Sequence, residues 1–337
     1  MSGNKADELR GDLRAAWHGF VDAMIPLRPV LHVYCRRLTA TIWDAEDLVQ
    51  DTLLRAFAYW GVTYPAIADP KSYLFRIATN LWIDGLRRQR LHENYERAEA
   101  RNSIADAPAS ASPDFTTQVR EAGAQLMRSL PPQERAAIVL KEAFDMSIDE
   151  IAQVLSTTPG AVKAALHRGR ERLRAEPPSF TRPQPSPAVL DAFIDRFNAQ
   201  DVAGLVALML ETGSAENVGN SIHIGVGSED GLRHFFTKVV HGHEEWPAFA
   251  GYESARLERA TLDGEPIILF IVKRKGQEAL MAVFRFETEG DRIVHVRAYG
   301  FCPDTIRAIG EELGLSVFTG LYRAPDPVAA TSVSIPK

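Results

Sequence analysis

The chain has 337 residues, of which 45% are hydrophobic and 24% charged, with a formal net charge of −6. This is the make-up of a soluble globular protein long enough for two or three domains. No apolar run reaches membrane-spanning length and no secretory leader opens the sequence, so the expectation is a cytoplasmic protein with no membrane partner. Cys35 and Cys302 fit neither a metal-ligand spacing nor a CxxC pair, so both are expected to be reduced, buried thiols, and no cofactor is expected.

Charge is uneven along the chain. Residues 1–180 hold 23 Lys and Arg against 23 Asp and Glu, while residues 181–337 hold 15 against 21. The second half therefore carries the whole excess of acid. Overall acidity does not exclude nucleic acid, because the phosphate field is felt over about 10 Å at 0.1 M salt and answers to local cations.

Residues 10–90 are helical by pattern. Asp44 is read as the cap of "AEDLVQDTLLRAFAYW", where Leu48, Leu53, Leu54 and Phe57 are read as core and Glu46, Asp47, Gln50 and Asp51 as an acidic patch. Asp69-Pro70 opens "KSYLFRIATNLWIDGLRRQR". Leu74, Ile77, Ala78 and Leu81 form its inner face, Tyr73, Phe75 and Trp82 are scattered round it, and it ends in Arg87, Arg88 and Arg90. Residues 91–115 turn polar and carry two prolines, which reads as a flexible linker.

Residues 116–175 form a second helical block. In "MSIDEIAQVLSTTPGAVKAALHRGRERLR", Ser147 and Glu150 make a capping box, and Ile148, Ile151, Ala152 and Leu155 share one face. "STTPG" breaks that helix; Thr158 caps the next, with Pro159 in its first turn, where a missing N–H does no harm. Val162, Ala165, Leu166, Gly169 and Leu173 recur inward, and residues 159–174 hold five Lys or Arg against one Glu. Two helices, a short turn and a basic, small-residue second helix describe a helix-turn-helix, whose second helix enters the major groove.

"AEPPSFTRPQPSP" follows; its five prolines between 177 and 187 make residues 176–187 a stiff spacer. Residues 188–320 read as an α+β domain. An amphipathic helical pair, "AVLDAFIDRFNAQDVAGLVALM", is followed by a strand, "SIHIGVG", and a helix, "SEDGLRHFFTKVV". Strands then turn at Asp263-Gly264, Lys275-Gly276 and Glu289-Gly290, and "TIRAIGEELGL" closes the domain as a helix. "HGHEEW" is read as a polar loop, and residues 321–337 as a loose tail.

Four segments, "DAEDLVQDTLLRAF", "PKSYLFRIATNLWIDGLRR", "LPPQERAAIVLKEAFDMSIDEIAQVL" and "TPGAVKAALHRGRERLR", stand in an order and spacing that resembles the sigma-70 family of bacterial transcription initiation factors. The resemblance is to the extracytoplasmic-function group, which keeps only the second and fourth conserved regions. The C-terminal half is similar to SnoaL-like domains, in which a curved sheet and helices enclose a pocket. The fold class expected is therefore two all-α domains, the second ending in the helix-turn-helix, followed by an α+β domain with a curved antiparallel sheet.

The resemblance implies partners and roles. Core RNA polymerase and promoter DNA are the expected partners, through the clamp helices of the largest subunit and the flap of the second subunit. Asp47, Gln50, Asp51 and Arg55 would meet the clamp. Tyr73, Asn80, Asp84, Arg87 and Arg88 would open and read the −10 element, with "GVTYPAIADPKS" taking a flipped base; stacking of unpaired bases on aromatic rings and cations on phosphates supply the physics. Lys163, His167, Arg168 and Arg170 would read the −35 element, with Thr158 and Arg172 on phosphates. The linker would cross the polymerase between the two elements, and the C-terminal domain would regulate in cis, its pocket open to a small ligand. Two other readings stay open: a ligand-responsive DNA-binding regulator independent of polymerase, and a SnoaL-like cyclase or isomerase with a DNA-binding leader. The latter would use acid–base groups drawn from His223, His234, His241, His243, His295, Asp195, Trp246, Tyr252 and Arg297.

Overall fold

The computed structural model describes residues 19–39, 41–63, 67–99, 130–173, 185–226, 231–245 and 252–319. The chain divides into two compact units, the second of which runs from Thr181 to Pro325.

The first unit is helical. Helices α1 (Arg28–Leu38), α2 (Ile42–Thr63) and α3 (Pro70–Glu99) form one block, and α4 (Pro132–Phe144), α5 (Ile148–Val154) and α6 (Pro159–Arg172) the other. Both blocks share one continuous core, with Tyr34, Val49, Phe75, Leu140, Ile151 and Val162 almost wholly buried. Phe75 stacks on Tyr34 at 4.2 Å between ring centroids, and Phe144 of the second block meets both rings edge-on. Arg135 donates to the Leu38 carbonyl at 2.8 Å and lies 5.2 Å over the Trp82 ring.

Three expectations change here. Leu54 is 67% exposed, not core. The inward face of α2 is Ala45, Leu48, Val49, Thr52 and Ala56, and at about 100° per residue Leu54 falls on the opposite side. Glu46 is not part of a surface patch: it is fully buried and accepts from Arg28 at 2.5 Å. Helix α3 runs nine residues into the segment read as linker, because "LHENYERAE" contains no proline or glycine to stop it. Residues 100–115 of that linker, 116–129 and 174–175 of the second helical block, 176–184 of the proline spacer and the tail 321–337 lie outside the described residues.

The second unit is α+β. Helices α7 (Pro187–Asn198) and α8 (Val202–Ala207) lead into strands β1 (Met209–Asn217) and β2 (Ser221–Ile224). After them come α9 (Leu232–Glu245), strands β3 (Ser254–Leu262), β4 (Glu265–Arg274), β5 (Gln277–Glu289) and β6 (Arg292–Ala298), and α10 (Pro303–Leu313). The six-stranded sheet has the order β2-β1-β6-β5-β4-β3. The meander from β3 to β6 is antiparallel, as expected, but β1 lies parallel to β6, so the sheet is mixed.

Two hairpins turn on residue pairs with positive φ, Asp263-Gly264 and Lys275-Gly276, the conformation that matches the right-handed twist of the strands. Register shifts interrupt the β4–β5 pairing at Phe270/Ile271 and the β5–β6 pairing at Glu287/Thr288, which bends the strands locally. Two local readings are corrected. Residues 209–217, of which the helical pair takes in only Met209 and the rest have no expected element, form β1. Residues 241–245 of the expected "HGHEEW" loop continue α9; the side chains of 242–245 and Trp246 itself lie outside what is described.

Candidate nucleic-acid and polymerase interface

Asp44 does not cap helix α2, which begins at Ile42: the Thr41 hydroxyl caps it by accepting from the Asp44 N–H at 3.1 Å. Its outward residues are Asp47 and Gln50, half-buried, and Asp51, Leu54, Arg55 and Tyr59, exposed. Gln50 donates to Glu46 at 3.0 Å, so the buried Arg28–Glu46 pair also fixes this side chain. Arg55 lies 5.7 Å over the ring of Tyr59. The result is a polar face with one bare leucine among its charges, a residue the periodicity of the sequence had assigned to the core.

Helix α3 begins on Asp69, whose Oδ1 accepts from the N–H groups of Lys71 and Ser72 at 3.1 and 3.2 Å. These bonds, that to the Ser72 side chain foremost, hold the Asp69 carboxyl below its usual range. Phe75 and Trp82 belong to the core. Tyr73 is half-buried, with Arg76 stacked at 5.8 Å, and Asn80, Asp84, Arg87 and Arg88 are exposed. Stepping by three or four, Tyr73, Arg76, Asn80, Asp84, Arg87 and Arg88 lie along one stripe of the helix. Arg76 is the member the sequence reading left out. Asp84 steadies the two cations beyond it, accepting from Arg87 at 3.3 Å and, through its carbonyl, from Arg88 at 3.4 Å. Residues 64–66 of the expected base pocket lie outside the described residues.

The helix-turn-helix forms as its caps dictate. Ser147 Oγ accepts from the Glu150 N–H at 3.2 Å, and the Glu150 carboxylate accepts from the Ser147 N–H at 2.7 Å; the Ser147 side chain first, and then this N–H, lower the Glu150 pKa. Ser156 takes a positive φ in the turn, and Thr158 Oγ1 accepts from the Ala161 N–H at 3.2 Å. Val162, Ala165, Leu166 and Gly169 are buried against α4 and α5, while Lys163, His167, Arg168, Arg170 and Arg172 are exposed.

Three of these cations are already paired with α4. Arg168 and Arg172 both bind Glu134, at 2.9 and 2.5 Å, and Arg170 binds Glu142 at 2.5 Å. His167 stands 3.6 Å from Glu171. Glu134 escaped the sequence reading, since nothing local marks a partner 34 and 38 residues away. A cleft of about 370 Å³ lies beside α6, with Ile148 and Leu166 on its floor and Lys141, Lys163, His167 and Arg170 on its rim.

In the second unit the space between the sheet and α7 and α9 is filled by Phe193, Phe197, Phe235, Phe236, Phe270, Phe284 and Phe286, packed mostly edge to face. Burial pushes the Tyr252 phenol up to about 12, away from neutral-pH acid–base work. His295 shares a 2.7 Å hydrogen bond with Ser214 and stands 3.7 Å from Glu216, which pairs with Arg297 at 3.3 Å. These four alternate with the core residues Ala215 and Val296, so they lie on the sheet face turned away from the phenylalanines.

Comparison with known proteins agrees with this layout. Residues 26–92 match the family Sigma-70 region 2, and residues 121–173 match Sigma-70, region 4. The ECF RNA polymerase sigma factor SigG of Mycobacterium tuberculosis is 28% identical over 323 residues, covering 87% of this chain and 82% of the relative. The RNA polymerase sigma-E factor of Streptomyces avermitilis is 34% identical over 145 residues, 42% of this chain and 75% of the relative. Among solved structures, the extracytoplasmic function sigma factor SigJ of Mycobacterium tuberculosis is 20% identical, with 84% of this chain and 96% of that chain covered and a TM-score of 0.31. Among the described residues no helix is long and apolar enough to cross a membrane. The chain belongs to the sigma-70 family, in its extracytoplasmic-function group, and is an RNA polymerase sigma factor.

Proposed function

We propose that α2 docks this factor on the clamp helices of the largest polymerase subunit, that α3 opens and reads the −10 element, and that α6 reads the −35 element while its block is held by the flap of the second subunit. Asp47, Gln50, Asp51 and Arg55 form the clamp contact, with Leu54 as its apolar centre. Tyr73, Asn80 and Asp84 face the unpaired bases, and Arg87 and Arg88 the phosphates. Lys163, His167 and Arg170 face the −35 major groove, with Thr158 at the backbone. The observation that carries this reading is the stripe on α3: Tyr73, the aromatic not taken into the core, shares one helix face with Asn80, Asp84 and both terminal arginines.

The C-terminal domain regulates in cis through its surface. The 21 acidic against 15 basic residues after position 180 let it compete with DNA or polymerase for the cations of the first half. The test is transcription by the holoenzyme from templates altered in one promoter element at a time. Asn80→Ala should lose its defect on a template with a weakened −10 element, and His167→Ala on one with a weakened −35 element. Equal defects on all templates would remove the assignment.

A further inference from the structure

We propose that Glu134 is a positioning residue that keeps Arg168 and Arg172 off the DNA backbone. The effect on promoter selectivity rests on reading α6 as the −35 helix; the effect on DNA affinity does not.

Glu134 is 5% exposed, in the first turn of α4. Its two carboxylate oxygens are divided between Arg168 Nε at 2.9 Å and Arg172 Nη1 at 2.5 Å. The arginines stand one turn apart on α6, and each side chain remains about half exposed. Between them is Gly169, where a Cβ would come within 2.5 Å of Ile138 Cδ1 and 3.4 Å of Glu134 Cβ. The missing side chain brings α6 close enough to α4 for both guanidinium groups to reach back to one carboxylate.

The arginines of α6 thus fall into two classes. Arg170 pairs with Glu142, which is open to water; such a surface pair is weak and exchanges readily for a phosphate. Arg168 and Arg172 share a buried carboxylate, and withdrawing them leaves that charge uncompensated in the protein. A phosphate that captures them must bear this loss. A helix with four Lys or Arg against one Glu then carries fewer available cations than its composition suggests. Non-specific affinity is held down, and discrimination is left to the side chains that face the bases.

The full chain binding a short duplex of unrelated sequence tests this, with affinity measured between 50 and 200 mM salt. Glu134→Gln keeps the shape and removes the charge. Each arginine it releases to a phosphate steepens the slope of log K against log salt by about 0.9, so the variant should lose about tenfold more affinity than the parent over that range. Adding Arg168→Gln and Arg172→Gln to the variant should return the slope to the parent value. In the holoenzyme, the Glu134→Gln ratio of transcripts from intact to scrambled −35 templates should fall.

An unchanged slope in Glu134→Gln overturns the proposal. So does a steepening that survives loss of both arginines, which would mean a loosened fold. If Glu134→Gln does not fold, Arg172→Gln alone decides: an unchanged slope supports the proposal, and a fall of about 0.9 puts Arg172 on a phosphate and sinks it. If the parent holoenzyme does not distinguish the two templates, the −35 reading fails, and the slope measurement still judges Glu134.

Discussion

Arg28 and Glu46 meet at 2.5 Å inside the helical unit, 4% and 0% exposed, one on α1 and the other on α2. Removing one partner leaves a buried charge. Glu46→Ala should therefore destabilise the protein by about 3–5 kcal/mol. Replacing both, as Arg28→Met with Glu46→Leu, should recover most of that loss. Urea unfolding of the three variants measures it. A single-variant cost below about 1 kcal/mol would mean the pair is open to water.

Leu54 makes the opposite prediction. It is 67% exposed, so Leu54→Ala should leave stability within about 0.5 kcal/mol of the parent. As the apolar centre of the clamp contact, its loss should weaken association with core polymerase by about tenfold, or about 1.4 kcal/mol. Competition binding against the parent protein reads this. Unchanged affinity would move the contact off this face.

These two positions also show where the sequence was legible. The helix-turn-helix could be read because its signals are local: Ser147, Glu150, Thr158 and Pro159 set both helix starts within a dozen residues. The β-meander was equally readable from Asp263-Gly264 and Lys275-Gly276. Glu46 was misjudged because its partner lies 18 residues earlier on another helix, and an unpaired glutamate belongs on the surface. Leu54 was misjudged because several apolar residues in one helix satisfy a loose spacing; the buried set 45, 48, 49, 52 and 56 fixes the true face. Strand β1 was missed because it is defined by parallel pairing with β6, about 80 residues away, and alternates poorly. Its inward residues include Gly213, where a Cβ would fall 2.9 Å from a backbone oxygen.

Acid should weaken the helical unit through its caps. The Asp69 carboxyl is depressed from an ordinary value of 3.8, chiefly by its bond to the Ser72 side chain, and that of Glu150 is depressed from 4.5, chiefly by Ser147. A depressed carboxylate stabilises the fold above its unfolded pKa, and that contribution is lost as pH falls through the folded value. Thermal melts should thus decline from just above the ordinary values downward. Asp69→Asn, a cap that does not titrate, should flatten part of the decline. An identical pH profile in the variant would contradict the assignment.

Gly169 lies against Ile138, whose Cδ1 would stand 2.5 Å from an added Cβ and must rotate aside to admit a methyl group. Gly169→Ala sets that small shift against the better helix propensity of alanine, so the net change should stay within about 1 kcal/mol. Chemical denaturation gives the sign directly, and a larger loss would show that Ile138 cannot rotate aside.

The central claim is tested most directly by promoter-dependent transcription with purified core polymerase, comparing the full chain with a version ending near Ala175. The account predicts a specific start site with either length, a change in yield between the two that gives the sign of the C-terminal domain's control, and weak promoter binding by the protein alone. No transcript with either length, together with tight DNA binding in the absence of polymerase, would contradict it.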